Sequence, residues 1–244
     1  MLCDCQAVCN DSRAENSHRG VLVPLLLYAD DLILMSTAAG LQKQSDALAS
    51  LCDKRQLAVN LSKTKTRIIE ARHSCVAHLV LNRAVVERVE SYKYLGFTFH
   101  ATRDMSFGTG ILVAAARRAM FAMQRRYRCA FLGIRDPALQ CKLFDTLMLP
   151  ILSYAVEIWG VKRSYGEPAD LLEVLHESFL KHLLGIRKST ANEIVLAELR
   201  HFALQTHFLQ QNLRYHHMTM GLDSMRLVTV AMMEGFKFQT NGTV

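Results

Sequence analysis

Long apolar runs are missing from this chain. Its most apolar stretch, Val21 to Tyr28, stops at Asp30 and Asp31, well short of the roughly 20 residues that a membrane-spanning helix needs, so neither a transmembrane segment nor a membrane partner is expected. The first residues, Met1 to Asn10, have no basic start and no apolar core and carry Asp4, which is not the build of a signal peptide. Charge is sparse: 21% of the 244 residues are charged and 50% are hydrophobic, which excludes a disordered chain and calls for a buried core. Cysteine has no framework. Seven is an odd number, and Cys52, Cys75, Cys129 and Cys141 are scattered through apolar periodic segments, so reduced thiols in an intracellular compartment are expected, with nucleus and cytoplasm left open. Cys3, Cys5 and Cys9 with His18 lack the paired knuckles of structural zinc sites and read as free thiols. No Cys follows Cys141, so His201, His207, His216 and His217 cannot complete a Cys–His zinc pair and read as surface or core residues.

What is present has an order. Met1 to Gly20 is polar and aperiodic and reads as a loose N-terminal tail. The runs Val21–Tyr28 and Leu32–Met35 flank the acidic pair and predict a hairpin buried on both faces. A helix follows, entered at Ser36 or Thr37, with Leu41, Leu48, Leu51 and Cys52 on one side. Thr66–Glu70 and His78–Leu81 read as strands, Asn82-Arg83 as a turn into Ala84–Val89, and Tyr92–Phe99 as a further β-prone stretch. From Ile111 the apolar spacing becomes helical. One helix runs to about Arg128; another starts at Pro137 and is kinked or ended by Pro150. A third starts near Pro168 and stops at Gly185, and Thr190-Ala191-Asn192-Glu193 has the capping-box form that opens a fourth. Strands with one helix followed by helices alone make an α+β chain.

Asp30 and Asp31 need a reason. Adjacent carboxylates repel each other, and burying either without a partner is costly. They either sit in a turn facing water or share a divalent cation, for which hard oxygen ligands on a rigid hairpin suit magnesium.

The stretch Leu25-Leu26-Leu27-Tyr28-Ala29-Asp30-Asp31-Leu32-Ile33-Leu34 resembles the catalytic hairpin of reverse transcriptases. The features after it are similar to those of LINE-type non-LTR retrotransposons: Asn60-Leu61-Ser62-Lys63-Thr64-Lys65, then Tyr92-Lys93-Tyr94-Leu95-Gly96-Phe97, then Pro150, Tyr154, Trp159 and Gly160 in one spaced pattern. The resemblance extends from about Val21 to His217. It implies a partial polymerase palm over 21–104, thumb helices over 105–163 and a helical C-terminal region over 164–244, after a tail over 1–20.

The resemblance further implies RNA-directed DNA polymerase chemistry, in which two magnesium ions activate a primer hydroxyl and hold the leaving triphosphate. Asp30 and Asp31 would be metal ligands. Lys63 or Lys65 would stand near the leaving pyrophosphate, though a solvated turn lysine is an equal reading. Tyr94, Leu95 and Gly96 resemble the primer grip, with Tyr92 and Phe97 packing. The implied partners are an RNA template and a DNA primer. The earlier strand with the family's first catalytic Asp, its nucleotide-binding segment and its fingers have no match here, and neither Asp4 nor Asp11 is expected to lie in an apolar strand. The expectation is therefore a fragment inactive alone, with the N-terminal half of the same polymerase as a further partner.

The net charge of +7, from 29 basic and 22 acidic residues, favours phosphate-bearing ligands. It concentrates in Arg117, Arg118, Arg125, Arg126 and Arg128, in a segment with no acid between Ile111 and Gly133. A solvated helix face usually carries both signs, so a row of one sign points to nucleic-acid phosphates. The alternative to a polymerase fragment is a non-catalytic basic module that binds RNA or DNA on a strand scaffold; a retrotransposon remnant without function is a third reading.

Overall fold

The computed structural model describes residues 2–10, 17–18, 21–22, 25–69, 78–101, 105–129, 136–160, 170–222, 226 and 228–229. The chain divides into two compact units, Met1–Asp104 with Leu222–Val244, and Met105–Gly221.

The first unit is built on a six-stranded sheet. Strands β1 (Leu2–Asn10), β4 (Leu25–Tyr28), β5 (Asp31–Ser36), β6 (Ala58–Val59), β7 (Lys65–Ile69) and β10 (Glu87–Arg88) form it, in the order β10-β7-β1-β5-β4, with β6 also on β1. Two short strands, β2 (Ser17–His18) and β3 (Val21–Leu22), pair with each other, as do β8 (Val80–Leu81) with β9 (Ala84–Val85) and β11 (Ser91–Tyr94) with β12 (Phe97–His100). Residues 1–20 were expected to be a loose tail, yet Leu2–Asn10 is the central strand, parallel to both β5 and β7. The physical reason lies in the backbone. Interior edges of β5 and β7 need hydrogen-bond partners, and a strand supplied from outside the periodic segments can provide them with little help from its composition.

The helix α1 (Ala38–Arg55) packs on this sheet. Thr37 caps it as expected, its side chain accepting from the Gly40 N–H at 3.3 Å. Leu41 and Cys52 join Leu32 and Leu34 of β5 in the core, while Leu51, expected on the same side, is half exposed. The hairpin expected to be buried on both faces is so only in part: β5 is interior, whereas β4 is the sheet's edge and leaves Leu25, Leu27 and Tyr28 exposed.

The second unit contains α2 (Ser106–Cys129), α3 (Pro137–Leu147), α4 (Leu149–Leu152), α5 (Val156–Trp159), α6 (Leu171–Leu184), α7 (Asn192–Leu199) and α8 (Leu204–Met220). Asp136 caps α3 and Pro137 stands in its first turn, where no amide hydrogen is needed. Pro150 falls at the start of α4, just after α3 ends. Gly185 closes α6 at φ 66°, a conformation that a side chain disfavours. The capping box expected from Thr190 does not form: the residue before α7 is Ala191, and no side chain caps this helix. Helices expected in separate thumb and C-terminal regions share this unit. Phe144 of α3 stacks on Phe179 of α6 at 4.8 Å, and Trp159 of α5 meets Phe208 of α8 edge-on at 5.3 Å.

Candidate metal centre and nucleic-acid interface

Tyr28 of β4 pairs with Asp31 of β5, so Ala29 and Asp30 alone make the turn between these strands. A two-residue turn demands unusual backbone, and Ala29 takes φ 53°, a strained conformation for a residue with a Cβ. Asp30 is exposed at the tip; Asp31, the first residue of β5, is half-buried. In the neighbouring strand Asp4 is the register partner of Asp31. Two strands and a turn thus bring three aspartate positions to one end of the sheet. Among the described residues no three His, Cys, Asp or Glu side chains gather as a metal group.

The hairpin of β11 and β12 is electrically linked to this end. The Tyr94 hydroxyl is raised above its ordinary pKa, first by burial and then by the charge of Asp31. Leu95 and Gly96 are the turn of that hairpin, at φ 44° and 93°, both exposed. Its geometry alone therefore calls for glycine at Gly96. Phe97 is buried and meets Phe99 edge-on at 5.1 Å, in keeping with a packing role.

The Asn60 to Lys65 segment owes its shape to its first residue. The Asn60 side chain accepts from Ser62 Oγ at 2.7 Å and from the Lys63 N–H at 3.3 Å, while its carbonyl accepts from Thr64 N–H at 2.9 Å and Thr64 Oγ1 at 2.8 Å. Asn is suited to this because its side chain can bond to backbone two or three residues on. Lys63 is exposed on this turn, whereas Lys65, in β7, is half-buried and ion-paired with Glu87 of β10.

In the helical unit, Arg117, Arg118, Arg125 and Arg126 are all exposed on α2. Leu112, Val113, Ala116, Met120 and Met123 of the same helix are buried, so the arginines occupy the side turned away from the core. The Arg128 side chain lies outside the described residues, as do those of Cys3, Cys5, Cys9 and His18. Cys52 and Cys141 are buried free thiols, pushed up in pKa first by burial, which keeps them in the unreactive form.

Several polar residues escaped the sequence reading. His176, on α6, is fully buried; its Nε2 lies 3.2 Å from Nδ1 of His201, whose Nε2 lies 3.0 Å from Asp145 Oδ1. His207 flanks His201, with ring centroids 6.3 Å apart. Burial, then the neighbouring histidines, push His176 down to about 3, and burial also lowers His207. The signal was present: His176 shares the apolar stripe of Leu172, Leu175 and Phe179. Arg67, in β7, was also missed and is buried. It shares a face with Lys65, two residues earlier in the strand, and nothing in the sequence tells the buried one from the paired one.

An uncharacterized transposon-derived protein of Caenorhabditis elegans is 24% identical to this chain over 173 residues, covering 69% of the chain and 59% of that protein. The chain thus spans less than two thirds of that relative's length. No family model matches the chain, and no solved structure matches it.

Proposed function

We propose that this chain is a retrotransposon-derived, reverse-transcriptase-like protein that holds magnesium at Asp30 and Asp31 and binds nucleic acid along α2. One observation carries the metal half of the reading. Asp30 sits in the strained turn, Asp31 opens β5 beneath it, and the adjoining strand sets Asp4 in register with Asp31. Like charges brought to one end of a sheet repel unless a cation offsets them. Magnesium fits the donor chemistry, since carboxylates are hard oxygen ligands and the ion needs only one or two of them, with water completing its shell. Asp30 and Asp31 would hold it, and bound there it would supply charge for phosphate oxygens. Tyr94, whose hydroxyl feels Asp31, faces the same charge from the β11–β12 hairpin. The similarity to a transposon-derived protein supports the same reading.

Calorimetric titration of the full chain with magnesium tests it. Asp30→Asn with Asp31→Asn is expected to weaken binding at least about tenfold, as removal of charged ligands should; undiminished affinity in the double variant would sink the metal site. Primer extension by the 244-residue chain is expected to give no template-dependent incorporation, because no segment of it resembles the family's nucleotide-binding part. Clear incorporation would overturn that expectation.

The exposed arginine row favours a second reading, a nucleic-acid-binding module without metal chemistry. Filter binding to a primer-template duplex at rising salt bears on both. Four phosphate contacts give a slope of log K against log salt of about −3.6, and changing Arg117, Arg118, Arg125 and Arg126 to Glu should abolish it. Nucleic-acid binding that ignores both salt and these substitutions contradicts the α2 interface. Nucleic-acid binding without any magnesium binding favours the second reading.

A further inference from the structure

Arg67 is a charge with unmet bonds. It lies in β7, between β1 and β10, and is only 6% exposed. Its Nε and Nη1 are buried and have no hydrogen-bond partner among the described residues. Burial lowers its pKa. The guanidinium carbon lies 5.9 Å from the centre of the Phe99 ring, a contact that offsets only part of the lost hydration. By contrast Lys65, two residues earlier on the same strand, has its partner in Glu87. A guanidinium cannot shed its proton to escape burial, so the remaining route to balance is an anion.

The cover over Arg67 is separable from the sheet. Among the described strands β11 and β12 pair only with each other. At its base the Val89 N–H donates to Thr66 O of β7 at 2.9 Å, and the Ala101 N–H donates to Glu90 O at 2.8 Å, closing the hairpin's own two ends. Tilting the hairpin about that base would uncover Arg67 and leave the six-stranded ladder intact.

We infer that Arg67 is a phosphate receptor beneath the β11–β12 hairpin, the Nε and Nη1 of its guanidinium taking the phosphate group of a nucleotide or of a nucleic-acid strand when Phe99 moves aside. Phosphate is the favoured anion because it offers several acceptor oxygens and up to two charges to a planar donor. The inference does not rest on the metal site: it uses neither Asp30 nor Asp31 nor the arginines of α2.

The experiment is thermal unfolding of the full chain in EDTA, with inorganic phosphate against chloride at equal ionic strength. Phosphate is expected to raise the midpoint, by on the order of 5 °C near saturation. Arg67→Met, which removes the buried charge, is expected to melt higher than the parent in chloride and to lose the phosphate response. Phe99→Ala keeps the guanidinium and opens its cover, so half of the response should need several-fold less phosphate. The variant with Arg117, Arg118, Arg125 and Arg126 changed to Glu should respond like the parent. A nucleoside triphosphate and a short single-stranded oligonucleotide, tested in turn, identify the source; a response to either that vanishes in Arg67→Met supports the site. No phosphate response in the parent, an equal response in Arg67→Met, an unchanged requirement in Phe99→Ala, or a response lost when the α2 arginines change would each overturn it.

Discussion

His176 stays neutral in the folded chain because protonating it would place a charge among Phe144, Phe179 and two further histidines. An ordinary histidine has a pKa of 6.5, and this one is pushed down to about 3. The unfolded chain therefore binds a proton at pH values where the folded chain does not, and stability falls as pH drops from 6.5 toward 3. Near pH 5 the loss is about 2 kcal/mol. Urea unfolding at pH 8 and pH 5 should show it, and His176→Leu should flatten the difference; a parent equally stable at both pH values would contradict the account. Tyr94 offers a second check on a single residue. Asp31 raises its hydroxyl pKa, so Asp31→Asn should lower it, and the phenolate absorbance followed during an alkaline titration reads the change directly. An unmoved titration would mean that the two residues do not share an environment. At this scale the sequence was uneven. The pair Asp30-Asp31 was visible because adjacent like charges are a local matter. Arg67 was not, because its character comes from what surrounds it, and His176 left only its place in the apolar stripe of Leu172, Leu175 and Phe179.

Elements whose ends are set by neighbouring residues were legible. Thr37 stands before an apolar periodic run and caps α1, Gly185 ends α6, and Asn82-Arg83 turns β8 into β9 with both residues at positive φ. Thr37→Ala should cost about 1 kcal/mol of stability by removing one bond to an otherwise unpaired amide. Chemical denaturation measures it, and no loss would show that the 3.3 Å bond contributes nothing. The Trp-Gly pattern also has a physical reason. Trp159 Nε1 donates to Tyr154 O at 2.8 Å, and a Cβ on Gly160 would come within 2.7 Å of Val156 Cγ2 and 2.9 Å of Asn212 Nδ2. The Thr190 capping box misled because Thr-x-x-Glu is a short pattern, and the helix starts one residue later than the pattern requires.

For the whole molecule, the exposed β4 edge is the main liability. Leu25, Leu27 and Tyr28 present apolar surface on a strand that is the sheet's edge among the described residues, a template for other strands. Leu27→Lys should lower aggregation on concentration without lowering the unfolding midpoint, and light scattering that does not change would show that aggregation starts elsewhere. No helix among the described residues is long and apolar enough to cross a membrane.

The sequence by itself determined the Thr37 and Gly185 ends of α1 and α6 and the Asn82-Arg83 turn, that Asp30 and Asp31 lie together at one hairpin, and that positive charge collects on α2, since each of these is a matter of neighbours and periodicity. Only the tertiary structure decided that Leu2–Asn10 is the central strand, that Asp4 comes into register with Asp31, that Lys65 pairs with Glu87, and that Arg67 is left buried without its bonds. Those outcomes depend on which strands lie side by side. Hydrogen bonds between distant strands leave no periodic trace in either one, and a buried charge looks in sequence like any other basic residue.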